Sequence, residues 1–151
     1  MEQKSEAQPD QRTIDEVLSL FKLGKLNKAK IKIENYIKKF PKSFVLFNIL
    51  GAVCAGQDEL EVAINHHKKS VEINPDYAEG YNNLGIAFQK LGLFEEAVKN
   101  YKKTLKLKPD FSLTYNNLGV VLKSLNKLDE ALLTSKKAVE LNPKFADAHN
   151  N

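Results

Sequence analysis

The sequence repeats itself with a period of 34 residues. Alanine and proline each recur four times at this spacing, and a Leu-Gly step recurs three times. A fixed period of roughly 20–50 residues is typical of proteins built by stacking small supersecondary units, each of which buries its apolar face on the next. The repeating positions are Ala29, Ala63, Ala97 and Ala131, then Pro41, Pro75, Pro109 and Pro143, and finally Gly51, Gly85 and Gly119.

Each period contains two predicted helices joined by a turn. The turn residues are Gly24, Asp58, Gly92 and Asn126, and these residue types tolerate a left-handed backbone better than others do. The second helix of each period stops before its proline, because proline lacks an amide donor and disfavours helical geometry in the preceding residue. The sequence therefore predicts an all-α fold of antiparallel helix hairpins.

The period also sets the predicted boundaries. Structure begins near Thr13, because Thr13 and Glu16 match a capping box ahead of an apolar run. Residues 1–9 are predicted to form a disordered leader. Residues 146–151 repeat the opening of the two preceding units, so we predict that a fifth unit begins there and that the chain is part of a longer protein. The four predicted units span 10–43, 44–77, 78–111 and 112–145.

The charge and the cysteine content exclude several classes of function. The net charge is +4, but Arg12 is the sole arginine and the lysines are interleaved with 19 acidic residues. Nucleic-acid-binding proteins instead concentrate basic residues on one face, so we predict no nucleic-acid partner. Cys54 is the only cysteine and lies in an apolar run, which predicts a buried, inert thiol. A polar N-terminus without a long apolar stretch predicts a cytoplasmic protein with no membrane partner.

No catalytic or metal-binding pattern is recognisable in the sequence. His66 and His67 are adjacent, so on a helix their side chains point about 100° apart and do not converge on a metal ion. The chain has no nucleophile with a matching base and no glycine-rich phosphate loop. Acidic pairs such as Glu95 and Glu96 fall at helix starts, where the helix dipole accounts for them. We predict a protein that is not an enzyme and uses no cofactor or metal.

The landmarks inside each period resemble those of the tetratricopeptide repeat family. The resemblance weakens towards the N-terminus, where Thr13, Glu16 and Val17 occupy positions for an aromatic residue, leucine and glycine. His67 and Ser135 replace an aromatic residue in the second and fourth units. The resemblance implies a right-handed superhelix whose first helices line a concave groove. The third-unit landmarks are Tyr81, Leu84, Gly85, Phe88, Ala97, Tyr101 and Pro109, and the fourth-unit ones are Tyr115, Leu118, Gly119, Leu122, Ala131, Ala138 and Pro143.

The face of each first helix opposite its apolar core is the face that such a groove would expose. Asparagine recurs there, and its amide offers two donors and an acceptor, so a row of them would hold the backbone of an extended peptide of any sequence. For Asn82 and Asn116 the alternative is a bond to a neighbouring helix or simple exposure, and for Ile86 and Val120 it is packing against an adjacent helix. The predicted peptide-binding residues are Asn48, Asn82, Asn83, Ile86, Gln89, Lys90, Asn116, Asn117, Val120 and Lys123.

A second hypothesis concerns the asparagine spacing. Asn83, Asn117 and Asn151 are similar in spacing to the asparagine row in the repeat region of protein O-linked N-acetylglucosamine transferases, although Ile49 interrupts the row here. That similarity implies a substrate-recruiting arm of a larger glycosyltransferase or sulfotransferase.

A third hypothesis is self-association. The last complete hairpin carries no polar capping helix, so Leu132, Leu133 or Val139 is expected to be exposed there. Repeat arrays without a polar cap tend to associate, which predicts a homo-oligomer formed through the C-terminal end of the repeats.

Overall fold

A computed structural model describes residues 8–144 of the chain, and within them it contains eight α-helices and no β-strand. The all-α prediction is thereby confirmed. The helices are α1 Gln11–Lys22, α2 Leu26–Lys39, α3 Phe44–Gly56, α4 Leu60–Ile73, α5 Ala78–Lys90, α6 Phe94–Leu107, α7 Ser112–Ser124 and α8 Leu128–Leu141.

The helices are distributed over two compact units, Met1–Pro75 with α1–α4 and Asp76–Asn151 with α5–α8. In the first unit, α3 packs against both α2 and α4, while α1 contacts α2 and α3. In the second unit, α5 pairs with α6, α7 pairs with α8, and α6 also packs against α7. The predicted boundaries between the four repeats, after residues 43, 77 and 111, stay a prediction.

The core of the first unit surrounds α3. Helices that are apolar all round are typically buried on several sides, and this helix contains no charged residue. Its Leu46 and Val53 are fully buried, as are Val17 of α1 and Ile33 of α2. The sequence places Val17 where the repeat pattern expects glycine, and the structure puts its side chain inside this core.

Close helix packing in the α3–α4 and α5–α6 hairpins depends on glycine. A Cβ atom added to Gly85 of α5 would lie 2.6 Å from Cδ1 of Tyr101 on α6, and Tyr101 is fully buried. The equivalent glycine of α3, Gly51, lies against the ring of His67 in the same way. These glycines allow the two helices of a hairpin to approach until a ring covers the backbone.

The predicted turns are confirmed by the backbone conformation. Gly24 and Gly92 have φ of +68° and +74°, and Asp58 and Asn126 have φ of +64° and +57°. All four lie in the left-handed region, which is where glycine, asparagine and aspartate are least strained. The helices that follow these turns each end two residues before one of the four repeating prolines, as predicted.

The predicted capping box of α1 is wrong. The N-cap is Asp10, whose carboxylate accepts a hydrogen bond of 2.8 Å from the amide of Thr13. Hydrogen bonding with Thr13, mainly through its side chain and then through this amide, lowers the pKa of Asp10. Glu16 does not reach back to the helix start, because its carboxylate accepts hydrogen bonds from Lys32 and from the hydroxyl of Tyr36. Glu16 therefore ties α1 to α2 instead of capping α1.

Two sequence predictions fall outside the described residues. They are the first seven residues of the leader and the fifth unit at 146–151. Gln8, at the end of the leader, is exposed, and its amide donates to the carbonyl of Lys42. Among the helices of residues 8–144, none is long and apolar enough to cross a membrane.

Candidate functional site

The candidate site is one face of two neighbouring helices in the second unit. On α5, Glu79, Asn83, Ile86 and Lys90 recur at intervals of four, three and four residues. At 100° per residue this spacing places them in one stripe along the helix. We call this stripe and its equivalent on α7 the α5/α7 face. The α7 stripe consists of Leu113, Asn117, Val120 and Ser124.

The stripe is separated from the core by the helical period. Leu84, Gly85 and Phe88 of α5 are buried, whereas Ile86 is half-buried and Lys90 is exposed. On α7, Leu118 and Leu122 are buried. The two helices thus turn equivalent sides away from their hairpin partners.

A buried hydrogen bond holds α5 and α7 together. The hydroxyl of Thr114 on α7 donates to Oδ1 of Asn82 on α5 at 2.8 Å, and both side chains are buried. Asn82 is only 5% exposed. Asn82 therefore bonds a neighbouring helix, which is the alternative expected for it from the sequence. We therefore leave Asn82 out of the surface available to a ligand.

The exposed part of the α5/α7 face mixes apolar and amide groups. Val120 and Leu113 are 45% and 44% exposed, although both are large aliphatic residues. Asn117 lies between them along the same stripe and is half-buried, as are Asn83 and Ile86 on α5. Such a combination of apolar contact area and amides suits a chain that presents both side chains and backbone groups.

Three other predicted residues border this face. Gln89 is half-buried, and its Oε1 accepts a hydrogen bond of 2.7 Å from the hydroxyl of Tyr101, which fixes its side chain. Lys123 is exposed on the last turn of α7, whereas Asn116 is half-buried and takes part in interactions within the protein. Of the three, Lys123 is the most accessible.

The electrostatics of this face are positive. Glu79 is the only acidic residue in α5 and α7, and the ammonium group of Lys108 lies 3.1 Å from its carboxylate. Within residues 8–144, neither Lys90 nor Lys123 forms an ion pair. The face and its border therefore carry two positive charges, on Lys90 and Lys123, that no carboxylate of residues 8–144 neutralises.

Asn48, the one predicted site residue of the first unit, is turned inward. It is 7% exposed, and its Oδ1 lies 2.9 Å from Nδ1 of His67. Burial lowers the pKa of His67 to about 4, so the ring is neutral near pH 7 and Nδ1 donates to Asn48. The ring of His67 fills the space beneath Gly51. Asn48 thus serves packing, and we leave it out of the proposed surface.

The polar groups outside this face form no metal site among residues 8–144. In the part of the chain that the structure describes, no three His, Cys, Asp or Glu side chains are placed to hold a metal ion. Cys54 is buried, as predicted, and burial raises the pKa of its thiol. The nearby Lys30 and Glu59 form an ion pair of 2.6 Å that links α2 to the start of α4.

Two residues that matter for this face were not among the predicted site residues. Leu113 contributes exposed apolar area. The sequence indicates its place in the stripe, because Asn117 follows Leu113 by four residues and Val120 follows Asn117 by three. Thr114 orders the pair of helices through Asn82. No signal in the sequence identifies that bond, because the two residues are 32 positions apart.

Comparison with protein-family models identifies the repeats. Models described as tetratricopeptide repeat match residues 17–43, 78–111 and 100–132, and a model described as TPR repeat matches 51–92. No curated protein sequence matches the chain. The similarity to transferase repeats therefore stays a prediction.

Solved structures share the fold. A crystal structure of MamA is 27% identical, with a TM-score of 0.81 over 89% of this chain and 79% of that one. A second MamA structure, of the MSR-1 protein, is 25% identical, with a TM-score of 0.72 over 85% of this chain and 74% of that one. The Cut9–Hcn1 hetero-tetramer of the APC/C matches at 19% identity and a TM-score of 0.81, over 87% of this chain and 26% of that one. This last likeness concerns the fold alone.

Proposed function

The chain contains tetratricopeptide repeats, and on that basis we propose that it is a protein-interaction module whose α5/α7 face binds an extended segment of a partner. The observation that carries this proposal is the exposed aliphatic stripe around Asn117. Leu113 and Val120 remain about half exposed on a helix whose other aliphatic residues are mostly buried. Aliphatic area left exposed beside amide groups is typical of surfaces that bind other proteins.

The usual spacing of neighbouring packed helices favours an extended ligand. Packed helices lie about 8–10 Å apart, and an extended chain advances about 3.1–3.4 Å per residue. A segment crossing from α5 to α7 therefore passes from Asn83 to Asn117 in about three residues. Both amides are half-buried at equivalent positions, so each would meet the backbone of the ligand at the same interval.

A structural neighbour gives this proposal context. In the Cut9–Hcn1 structure, a protein of the same fold is part of a hetero-tetramer. We extend to the present chain only the expectation that a partner is a protein.

Partner capture tests the proposal. The wild-type chain, the Asn83→Ala/Asn117→Ala double variant and a Val120→Asp variant are each used to capture partners from a lysate of the source cells. We expect both variants to lose the proteins retained by the wild type, because the first removes amides and the second places a charge on the aliphatic stripe.

Ile31→Asp is the matched control. Ile31 is 61% exposed on α2 and lies on neither candidate binding surface, so the same type of substitution should leave capture unchanged. Thermal unfolding of every variant should stay close to the wild type, because none of the changed side chains is buried. Capture that survives Val120→Asp, or that is lost equally with Ile31→Asp, would exclude the α5/α7 face as the binding surface.

A second candidate function, self-association, is favoured by the outer surface of α8. Leu132 and Leu133 are exposed, and a cleft of about 420 Å³ lies along Leu132, Ser135 and Val139. The residue of α6 that corresponds to Leu132 in the 34-residue period, Val98, is buried in a helix that α7 covers. An equivalent apolar position is therefore uncovered on α8.

Light scattering distinguishes this candidate. A mass above one chain that falls to one chain in a Leu132→Glu variant would support association through α8. A mass of one chain at high protein concentration would exclude it.

A further inference from the structure

We propose that the segment bound by the α5/α7 face is acidic, with carboxylates placed beside apolar side chains that recur every third residue. This inference rests on the function proposed above and names the class of partner. It is carried by the charges that the face leaves unpaired and by the positions of those charges relative to the aliphatic residues.

The first argument is the charge balance of the two helices. Together α5 and α7 contain one acidic residue and two lysines. The acidic residue, Glu79, is already paired with Lys108, which directly follows α6. Lys90 and Lys123 are exposed and, among the described residues, form no ion pair. A ligand approaching this face meets two uncompensated positive charges and no free carboxylate.

The second argument is the contrast with lysines elsewhere in the same unit. Several lysines on α8, on α6 or directly after it have a carboxylate within 4 Å: Lys99 with Glu96, Lys102 with Glu130, Lys108 with Glu79 and Lys137 with Glu140. Some of the lysines outside the α5/α7 face therefore have an acidic partner. On the α5/α7 face the sequence supplies amides and aliphatic side chains beside the two lysines instead.

The third argument is the order of groups along each helix. On α5, Lys90 lies four residues after Ile86, which is about 6 Å along the helix axis. On α7, Lys123 lies three residues after Val120, which is about 4.5 Å. On both helices a cation therefore stands about one turn beyond an aliphatic residue and on the same side of it. The lysine side chain is long enough for its ammonium group to reach a carboxylate of the ligand while the adjacent ligand residue contacts the aliphatic side chain.

The repeat of three residues follows from the helix spacing. A polyproline II segment makes one turn in three residues and advances about 9 Å, which matches the 8–10 Å between packed helices. Side chains i and i+3 of such a segment point the same way. One would meet Ile86 and the next would meet Val120, with the carboxylates directed to Lys90 and Lys123.

A displayed library of random 12-residue peptides tests this inference on the full chain. Enriched peptides are synthesised with a fluorescein label, and their affinity is measured by fluorescence anisotropy at 50 mM and 500 mM salt. We expect the enriched set to be rich in Asp and Glu and to carry aliphatic or aromatic residues three positions apart. Binding should weaken at the higher salt concentration, because exposed charges are screened.

Charge reversal at the two lysines is the decisive variant. Lys90→Glu/Lys123→Glu should weaken an enriched acidic peptide roughly tenfold at 50 mM salt, since two attractions are lost and two repulsions gained at exposed positions. Lys106→Glu/Lys127→Glu makes the same change in net charge on α6 and at the start of α8, and it should change the affinity less than about twofold. Long-range attraction alone would affect both variants equally.

The outcomes separate this inference from the proposed function. An enriched set that is neutral or basic, or one that ignores Lys90→Glu/Lys123→Glu while losing affinity with Val120→Asp, would overturn the acidic preference and leave the binding surface in place. A library with no enrichment, or enriched peptides that bind Val120→Asp as well as wild type, would overturn both.

Discussion

Alanine substitutions at Gly85 and Gly119 should change the stability of the protein in opposite directions. The two glycines occupy equivalent positions of α5 and α7, and each faces the second helix of its own hairpin. They differ in what an added methyl group would meet. At Gly85 it would lie 2.6 Å from Cδ1 of Tyr101 and closer still to Cε1, and at Gly119 it would lie 2.7 Å from Oγ of Ser135.

The size of each effect follows from these contacts. Alanine in place of glycine inside a helix is worth about 1 kcal/mol in helix propensity. Carbon atoms pack at about 3.5–4.0 Å, so at Gly85 the ring of Tyr101 would have to move by about 1 Å. That ring is fully buried and its hydroxyl bonds to Gln89. Overpacking costs about 1–3 kcal/mol and the strained hydrogen bond about 1 kcal/mol, which gives a net destabilisation of about 1–3 kcal/mol.

The outcome at Gly119 is different because a hydroxyl can rotate. Ser135 can turn its Oγ to another staggered rotamer, and the next atoms, the carbonyl of Ala131 and the amide of Ser135, lie at 3.6 and 3.7 Å. The helix-propensity gain is then retained. Gly119→Ala should stabilise the protein by up to about 1 kcal/mol.

Urea unfolding followed by far-UV circular dichroism measures both effects. The urea midpoint should fall for Gly85→Ala and rise for Gly119→Ala, with unchanged slopes. Gly51→Ala should resemble Gly85→Ala, because three ring atoms of His67 lie 2.6–2.8 Å from the added Cβ. Equal shifts at Gly85 and Gly119, or a stabilising Gly51→Ala, would refute the argument that a ring on the facing helix makes glycine necessary.

Three further predictions concern single residues. Since burial lowers the pKa of His67 from 6.5 to about 4, the unfolded chain binds more protons in this range, so about 3 kcal/mol of stability should be lost as the pH falls from 6.5 to 4. Urea midpoints measured across this range should show the loss, and a His67→Tyr variant should show much less of it. Gly92 has φ of +74° and no atom within 4 Å of an added Cβ, so Gly92→Ala should cost about 1–2 kcal/mol through the backbone alone. Asn126→Gly, by contrast, should be neutral or slightly stabilising. Thermal unfolding measures both changes, and a Gly92→Ala variant as stable as the wild type would contradict the first expectation. Asn82→Ala should cost about 1–3 kcal/mol, because it leaves the buried hydroxyl of Thr114 without its acceptor, and hydrogen exchange in α5 and α7 should accelerate; unchanged exchange would show that the bond does not hold the helices together.

Much of the fold could be predicted from the sequence because its signals are local. A left-handed turn requires glycine, asparagine or aspartate wherever it occurs, so Gly24 and Asp58 identify turns without reference to the rest of the chain. Proline ends a helix for reasons confined to its own ring and the residue before it. The helical period likewise places Asn83, Ile86 and Lys90 on one side of α5.

The caps and the inward asparagines could not be predicted in this way. Asp10 and Thr13 are both good N-cap residues, and Glu16, which a capping box at Thr13 would require, instead bonds Lys32 and Tyr36 of another helix. Asn48 sits at the same place in its period as Asn82. The first bonds a histidine ring inside its hairpin and the second bonds a threonine of the next hairpin.

The sequence by itself determined the repeat, the turns, the helix ends and the helical stripe that carries the candidate surface, because each depends on residues within a turn or two of one another. The tertiary structure decided which members of that stripe are exposed. Whether an asparagine or lysine is available to a partner depends on the residue that packs against it from a distant part of the chain. Thr114 takes Asn82 and His67 takes Asn48 into the interior. Lys90 and Lys123 stay exposed, and α5 and α7 provide no second carboxylate beside Glu79 to pair with them.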